Sequence, residues 1–530
     1  MSLTKSSFLF ASGTLFSRIT GMVRESVLMS FFGANWLLDA FFVAARIPGL
    51  FREMLAEGAL SNAFTKVYSD LAERDRSQAR ELLLQALLTT TLLAVLISLL
   101  GWLLAPFFVT VISLKVDNEE FSKNAIGLTR MMFPYLGLTM IMSVTMGALH
   151  KHGKFFLSAV SPVAFNIGQI LGAIYLAKWF TASGPDWMEK VADKSLVGLT
   201  TGLLLGALVQ LAMQLAGLRK VLRRDGASPA RLTGMSPALR KMFVIMLPAT
   251  IAASTGPINV VIATNFATSV GEGAVSWLNA AFRIFQLPIG LFAVAIGVAV
   301  LPRLTKTIAK NKGAVDQTAS AELYKATELV MWCMGFFLAY LAGNSEYLVD
   351  VMYGYNKFKP SDTLNTAAAL YAYSFGVIGY GLTKVVTSFY YAVEKTSYPM
   401  KIAIFSIGIN IVGNYFFVNK WGHQGIAWTS SVTLTFNAIA LLAGLKKYKV
   451  QFPAKDVGKT VVLLSLAAIL ALAGQNFLMD VFLKAMQEQP RKVADVVILL
   501  ANGLFCLAIF ALISFPRLKP WYRVFLKRST

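Results

Sequence analysis

The sequence predicts an all-α integral membrane protein with about fourteen transmembrane helices. Of its 530 residues, 56% are hydrophobic and only 14% are charged, whereas soluble domains carry about 25% charged residues. The mean hydropathy of +0.61 agrees with this composition. The apolar runs are about 20 residues long, which is the length that crosses a bilayer as a helix. The chain is therefore expected to work within the membrane.

The apolar segments follow one another along the whole chain. They contain prolines such as Pro48, Pro134 and Pro288, which transmembrane helices tolerate because neighbouring groups satisfy the freed backbone. Arg18 and Arg24 interrupt the first segment, so we expect it to be a retained span rather than a cleaved signal. The predicted spans are 8–33, 36–65, 82–113, 124–149, 155–180, 196–218, 240–269, 274–302, 326–343, 364–392, 399–418, 424–445, 460–480 and 493–516.

The basic residues predict the orientation of these spans. A net charge of +22 would suggest nucleic-acid binding in a soluble protein, but no nucleic-acid motif accompanies it and most basic residues lie in short loops. With both termini in the cytoplasm, the cytoplasmic segments contain about threefold more Lys and Arg than the opposite loops. The sequence therefore predicts cytoplasmic termini and no nucleic-acid partner.

A weak internal repeat divides the chain. Pro-Gly-Leu-Phe at 48–51 recurs as Pro-Ile-Gly-Leu-Phe at 288–292, and the offset equals six spans, an even number that preserves orientation. At a similar offset, Lys151, Ala159 and Asn166 recur as Lys395, Ala403 and Asn410. The alternative is chance similarity among apolar helices. We predict two six-helix lobes related by a pseudo-twofold axis along the membrane normal, followed by an appendage and a cytoplasmic tail: 1–220 (spans 1–6), 221–447 (spans 7–12) and 448–530 (spans 13 and 14).

Two lobes with a central seam form an alternating-access transporter architecture, with the substrate expected between the lobes. Charge inside a membrane is costly and needs a reason. Cations are in excess in the predicted spans, and the planar guanidinium of arginine suits phosphate and carboxylate. The pattern indicates an anionic, phosphate-bearing substrate rather than a cationic drug. The charged residues are Arg18, Arg24, Arg46, Arg52, Arg130, Arg283 and Lys384, against Glu25, Asp39, Glu53 and Glu57.

Each arginine also has a simpler interpretation, in which it snorkels to the membrane surface or pairs with an acid. We favour substrate contact for Arg24, Arg52 and Arg283. For Arg283 the reason is that no acid lies within four residues of it, so a local ion pair is unavailable. For Arg18 both interpretations stay open, and Gly13 could bend the first span enough to bring it near Arg24. Snorkelling is expected for the two cations nearer helix ends, Arg130 and Lys384.

The acids of span 2 have a structural interpretation. Asp39, Arg46 and Glu53 are spaced by seven residues and so share one helix face, which predicts an internal ion-pair ladder. Glu53 and Glu57 are one helical turn apart, and they are expected to hold the arginines in place or to sense closure. These acids, with Glu25, are predicted to be supporting or gating residues.

A candidate metal site lies on spans 11 and 12. Asn410 and Asn414 share a helix face, and Ser430 could join their oxygens around a hard cation such as Na⁺; more often such amides only tie helices together. Walker, HExxH and GxSxG motifs are absent from the sequence. We therefore expect a transporter without catalytic residues or a cofactor, driven by an ion gradient such as Na⁺ or by membrane potential.

Three stretches carry a resemblance to a known family. FSRITGMVRESVLMSFFGANWLLDAFFVAARIPGLFREMLAEGALSNAF at 16–64 resembles the N-terminal signature of the MurJ/MviN lipid II flippases, of the multidrug/oligosaccharidyl-lipid/polysaccharide exporter superfamily. SWLNAAFRIFQLPIGLFAVAIGVAVLPRL at 276–304 and FYYAVEKTSYPMKIA at 389–403 continue the match. The resemblance runs through the whole chain, including the two last spans.

The resemblance implies transport of lipid-linked disaccharide-pentapeptide from the cytoplasmic to the periplasmic leaflet of the bacterial inner membrane, for peptidoglycan synthesis. It implies a cationic cavity and a hydrophobic groove formed by helices 13 and 14. The family's cavity arginines match Arg18, Arg24, Arg52 and Arg283, and Asp39 and Glu57 also match family positions. The expected partners are lipid II and membrane lipids, with a monomer sufficient and cell-wall synthases nearby.

The chain departs from the family where sodium is concerned. A carboxylate of span 7 that helps to bind sodium in some relatives is replaced by Ala263, which weakens the case for sodium coupling. Rival functions are a flippase for another polyprenyl-pyrophosphate glycan, such as O-antigen, and less plausibly a cation or drug antiporter. A membrane glycosyltransferase would need a cluster of catalytic acids, and no DxD-like cluster occurs in the sequence.

Overall fold

The structure is a computed structural model that describes residues 3–113, 116–224, 235–311, 314–486 and 489–526. Within these ranges, the side chains of 3–11, 57–58, 221, 224, 248–249, 251–253, 255 and 518–526 are outside the description. All regular structure in the described residues is helical. The all-α fold class predicted from the sequence is thereby confirmed.

The described chain forms two compact units. Unit 1 comprises 1–276 with 355–358, and unit 2 comprises 277–354 with 359–530. The helices of unit 1 are α1 (Leu3–Phe32), α2 (Trp36–Phe51), α3 (Ser61–Arg74), α4 (Arg76–Ile112), α5 (Glu119–Lys151), α6 (Phe155–Val160), α7 (Pro162–Leu171), α8 (Ala177–Ser183), α9 (Lys194–Arg224), α10 (Pro237–Ala253) and α11 (Thr255–Thr268). The domain boundaries predicted from the repeat stay a prediction.

Unit 2 begins within α12 (Ala274–Pro288) and contains eight further α-helices. They are α13 (Val294–Lys310), α14 (Gln317–Gly343), α15 (Ser345–Tyr353), α16 (Pro360–Ser374), α17 (Val377–Ala392), α18 (Ser397–Gly444), α19 (Ala454–Ala485) and α20 (Arg491–Leu526). A buried cluster around Trp332, Leu464 and Phe510 packs α14 against α19 and α20, so the last two helices are part of this unit's core.

Nine described helical stretches are long and apolar enough to cross a membrane. The count of fourteen spans stays a prediction, because several predicted spans are interrupted. Span 7 divides between α10 and α11, and span 10 divides between α16 and α17. Spans 11 and 12 both lie in α18, where Gly422 breaks the helix with φ 54° and ψ −136°. Only glycine adopts such backbone angles at little cost.

Two π-helical segments lie beside the repeated Pro-Gly-Leu-Phe motif. Arg52–Leu60 follows the first copy, and Ile289–Ala293 lies within the second. Proline lacks an N–H and removes one helical hydrogen bond, so a wider turn can form next to it. The repeat therefore marks the same local irregularity in both units, and π turns are frequent at functional sites.

Helices α7 and α9 approach each other closely at glycines. A Cβ on Gly168 would lie 2.5 Å from Gly206 Cα, and one on Gly202 would lie 2.5 Å from Gly168 O. Any side chain at these positions would push the two backbones apart. Small residues allow such close packing in membranes, where van der Waals contact drives helix association.

Candidate functional site

Arg24 on α1 is held by two acceptors. Its guanidinium donates to Glu25 Oε2 at 2.9 Å and to Asn166 Oδ1 at 3.3 Å. Asn166, on α7, donates from Nδ2 to Ser17 O at 3.1 Å and to Thr20 Oγ1 at 3.0 Å. Only 12% of the Arg24 side chain is exposed. A buried charge needs a partner and further hydrogen bonds, and this arrangement supplies both while fixing the direction of the guanidinium.

Arg18 lies six residues before Arg24 and is partly exposed. It makes no hydrogen bond or ion pair with the described part of the chain. Helix α1 is continuous from Leu3 to Phe32, and Gly13 packs against α6, where a Cβ would lie 2.9 Å from Ala159 Cβ. The described role of this glycine is therefore close packing rather than a break in the helix.

Arg52 opens the π-helical segment Arg52–Leu60. Its Nη2 lies 3.7 Å from Glu53 Oε1, and the two side chains are 27% and 49% exposed. An ion pair this exposed is worth at most about 1 kcal/mol. The side chain of Glu57 lies outside the described residues.

Asp39 is fully buried in unit 1 with three hydrogen-bond donors. It accepts from the backbone N–H of Gly273 at 2.7 Å, and from the N–H and Oγ of Ser276 at 2.8 and 2.6 Å. No bond from Arg46 reaches it, so the predicted ladder does not form at its Asp39 end. Asp39 instead ties α2 to the start of α12, a contact that spacing within one helix does not reveal because 234 or more positions separate the partners.

Arg283 is exposed on α12 of unit 2. The preceding residue, Phe282, packs with its ring centroid 5.5 Å from those of Phe285 and Tyr373. Phe285 is completely buried, so the aromatic face anchors α12 while the opposite face presents the guanidinium. An arginine on a rigid helix is suited to hold an anion without a large ordering cost.

Two other membrane cations lie against aromatic rings. The Arg130 guanidinium is 4.8 Å from the Trp102 ring centroid, and its Nε donates to Trp102 O at 3.3 Å. Lys384 Nζ is 5.0 Å from the Tyr380 ring centroid. Cation–π contacts of this kind stabilise by about 0.5–1 kcal/mol at exposed sites, which gives both cations a local structural role.

The candidate sodium residues lie on the two halves of α18. Asn414 Nδ2 donates to Asn410 Oδ1 at 2.8 Å, and Ser430 Oγ donates to Ile426 O at 3.0 Å. Asn414 Oδ1 is buried and accepts no hydrogen bond from the described residues. Such an oxygen fits a hard cation. The described residues contain no cluster of three or more His, Cys, Asp or Glu that could hold a metal, so a site here would be neutral.

Asn166 could not be recognised from sequence spacing as a partner of Arg24. The two residues are 142 positions apart, and an amide hydrogen bond leaves no periodic signal. One signal was present: Asn166 is the counterpart of Asn410 in the internal repeat. The structure gives both asparagines buried positions with hydrogen-bonded amides.

Comparison with known proteins gives concordant matches in sequence. The family model described as "Lipid II flippase MurJ" matches residues 28–487. The chain is 31% identical to the lipid II flippase MurJ of Burkholderia cenocepacia over 532 residues, which cover 98% of this chain and 97% of that protein. It is 30% identical to the probable lipid II flippase MurJ of Vibrio cholerae, with 84% of this chain and 83% of that protein covered.

Solved structures share the fold. A lipid II flippase MurJ in an inward closed conformation superposes with a TM-score of 0.77 at 22% identity, covering 96% of this chain and all of the other. An inward-facing multidrug resistance transporter of the MATE family and MOP superfamily gives a TM-score of 0.61 at 14% identity, covering 83% and 98%. At these identities the likeness is one of architecture.

Proposed function

The chain belongs to the lipid II flippase MurJ family, and we propose that it moves lipid II across the membrane by alternating access. Lipid II is the undecaprenyl-pyrophosphate disaccharide-pentapeptide used in peptidoglycan synthesis. The function is transport, and the protein is a multi-pass membrane protein. The proposed direction is from the cytoplasmic to the periplasmic leaflet of the bacterial inner membrane, with both termini in the cytoplasm.

The observation that carries this proposal is the family match across most of the chain. The arginines add a physical reason for an anionic cargo. We propose that Arg18, Arg24, Arg52 and Arg283 bind the pyrophosphate. Arg24 is aimed by Glu25 and Asn166, Arg52 forms an exposed ion pair with Glu53, and Arg283 is exposed on a rigid helix. Guanidinium groups bind phosphate oxygens through paired donors.

Glu25, Asp39, Glu53 and Glu57 are proposed to support or gate this site. Glu25 is 1% exposed and holds Arg24. Asp39 stiffens the start of α2 through its three donors. We propose that a Na⁺ gradient or membrane potential supplies the energy, that the chain works as a monomer near cell-wall synthases, and that it catalyses no covalent step.

The test is complementation followed by a direct transport measurement. The chromosomal lipid II flippase of a suitable bacterium is depleted, this chain is expressed, and lipid II accessible on the outer leaflet is quantified. Wild type is expected to restore accessibility, and Arg24→Ala to reduce it at least about tenfold, since a hydrogen bond to a charged group stabilises by about 1.5–3 kcal/mol. Arg24→Lys is expected to retain part of the activity because it keeps the charge and loses the paired donors.

The matched control is Arg130→Ala, another membrane arginine whose guanidinium lies over Trp102. It should insert normally and transport at the wild-type rate. Equal loss from Arg130→Ala and Arg24→Ala would show that the loss reflects folding. Failure of well-inserted wild type to restore lipid II accessibility would reject lipid II as cargo, and a polyprenyl-pyrophosphate glycan of the O-antigen type would become the leading candidate.

A further inference from the structure

A polar cavity of about 280 Å³ lies at one end of unit 1. It is formed by the first turns of α5, the end of α8 and the segment 186–194 before α9. Drug-sized ligands occupy pockets of about 300–1,000 Å³, so this cavity suits a smaller polar group. None of the proposed cargo residues lines it.

Asn124 forms a buried part of the cavity wall and is 3% exposed. Its Oδ1 accepts a hydrogen bond from the backbone N–H of Asp193 at 2.6 Å. A backbone N–H can only donate, so this bond fixes the amide with its oxygen toward Asp193 and its NH₂ group on the other side. That NH₂ group makes no hydrogen bond to the described residues. It is therefore a donor that a ligand in the cavity can use.

The charged groups of the cavity fall into two sets: a used set, whose members are bonded to other protein groups, and an unused set, whose members form no ion pair with the described residues. Lys194 is already paired, at 3.1 Å with Asp186 and 3.2 Å with Glu189. Asp193 caps α9 by accepting from Ser195 N at 2.8 Å. The used set is thus bonded within the protein: two carboxylates share the Lys194 ammonium, and Asp193 accepts from the start of α9.

The unused set is one acid and one base on α5. Glu120 and Lys123 both line the cavity and are exposed, and neither forms an ion pair with the described residues. One carboxylate, one ammonium and the Asn124 donor together complement a ligand with an ammonium and an anionic group. A simple anion would leave Glu120 unmatched, and a simple cation would leave Lys123 and Asn124 unmatched.

Two exposed tryptophans lie close in sequence to residues that line the cavity. Trp179 and Trp187 are 58% and 59% exposed, and they lie two residues before Thr181 and two before Glu189, both of which line it. Tryptophan is enriched where the bilayer meets water, at the level of the lipid headgroups. The two tryptophans therefore favour a position of the cavity at the level of the lipid headgroups.

We propose that this cavity binds the headgroup of a phospholipid that carries a primary ammonium and a phosphate, as in phosphatidylethanolamine. The phosphate accepts from Lys123 and from Asn124 Nδ2, and the ammonium donates to Glu120. Binding joins α5 to the segment before α9, so the lipid acts as a structural ligand of unit 1. This site is separate from the proposed cargo residues.

The test is lipid binding by the purified, delipidated full-length chain, followed by native mass spectrometry. The probes are phosphatidylethanolamine, phosphatidylglycerol and phosphatidylcholine with identical acyl chains. Phosphatidylethanolamine is expected to bind most tightly, because only it offers both a phosphate and an ammonium that donates hydrogen bonds. Glu120→Gln should weaken its binding about threefold to fivefold, the range expected for one partly exposed ion pair.

Glu119→Gln is the matched control, since it removes a neighbouring exposed acid outside the cavity lining. It should leave the preference for phosphatidylethanolamine unchanged. Lys123→Gln should weaken phosphatidylethanolamine and phosphatidylglycerol alike, and water-soluble O-phosphoethanolamine should compete with the lipid.

Three outcomes would overturn the proposal. Equal binding of phosphatidylethanolamine by wild type and Glu120→Gln would show that Glu120 does not contact the ammonium. Binding of phosphatidylglycerol as tight as that of phosphatidylethanolamine would show the same. Competition by inorganic phosphate as strong as that by O-phosphoethanolamine would show a simple anion site instead. Because Glu120 is on the surface, the variant is expected to fold, and an unchanged thermal unfolding curve verifies this.

Discussion

Asn166 in unit 1 and Asn410 in unit 2 occupy equivalent positions of the internal repeat but hold different partners. Asn166 accepts from the guanidinium of Arg24 and donates to two oxygens of α1. Asn410 accepts from the neutral amide of Asn414 on its own helix. The repeat therefore conserves a buried amide and changes what that amide orients. The difference suggests that unit 1 positions a charge for an anionic cargo, while the equivalent place in unit 2 offers neutral oxygens.

The largest expected effect comes from removing the unit 1 amide. Asn166→Ala frees Arg24 and breaks two contacts to α1, so we expect the initial rate of lipid II transport in proteoliposomes to fall about tenfold. Asn410→Ala should cost less than about threefold, because its partner is neutral. Equal losses from the two variants would contradict the asymmetry between the units.

A smaller effect is expected from replacing the same amide by a carboxylate. Asn166→Asp keeps an acceptor for Arg24 but gives the guanidinium an anion that competes with the cargo. We expect lipid II affinity, measured by microscale thermophoresis in detergent, to fall about fivefold. Asn410→Asp serves as the control and should leave this affinity unchanged. An affinity equal to wild type in Asn166→Asp would show that Arg24 does not contact the cargo.

The neutral site in unit 2 predicts a response to sodium. If Asn414 Oδ1 binds Na⁺, replacing K⁺ by Na⁺ should raise the Tm of the purified chain by about 2–4 °C. Asn414→Ala should abolish this difference, and Asn265→Ala, whose Nδ2 donates to Val111 O at 2.7 Å in unit 1, should keep it. A Tm that is identical in both salts for wild type would reject the site.

The smallest effect concerns another pair of equivalent residues, Lys151 and Lys395. Lys151 Nζ lies 2.6 Å from Glu73 Oε1, and this hydrogen bond holds the pKa of the Glu73 carboxyl below its ordinary value of 4.5. The bond therefore stabilises the fold above that pH, and the contribution is lost as pH falls through the lowered pKa. Lys395 has no ion pair with the described residues.

Lys151→Met should lower the Tm by no more than about 1 °C at pH 7, since the pair is largely exposed, and by less at pH 3, because Glu73 takes up a proton as the pH falls. Lys395→Met should change the Tm at neither pH. Thermal unfolding at the two pH values measures this. A Tm loss for Lys151→Met that is equally large at pH 3 would show that its packing, rather than its charge, matters.

The sequence predicted regular helices well and long-range partners poorly. The apolar run at 82–113 became α4, because an uninterrupted apolar segment in a membrane must satisfy its backbone as a helix. The predicted ladder from Asp39 to Arg46 was wrong, since helical spacing shows which residues share a face but not what another element brings to that face. Ser276 and Gly273 supply that partner from a distant part of the chain.

The same limit applies to the candidate site. An arginine in an apolar run can be recognised because a charge inside a membrane costs free energy. This criterion drew attention to Arg24, Arg52 and Arg283. The sequence could not show that Arg24 is held by Asn166, or that Arg130 lies over Trp102. Both contacts depend on how separate helices pack, which periodicity within one helix does not encode.

The π-helical segment Arg52–Leu60 has a consequence for insertions and deletions. A π turn bonds residue i to i+5 and so contains one residue more than an α turn. Deleting one residue after Arg52 would let the segment return to α geometry while α2 and α3 kept their phase. The protein would then be expected to fold and to lose the local frame that presents Arg52. An insertion or deletion of one residue at this point of the chain can therefore change cargo binding while the protein still folds.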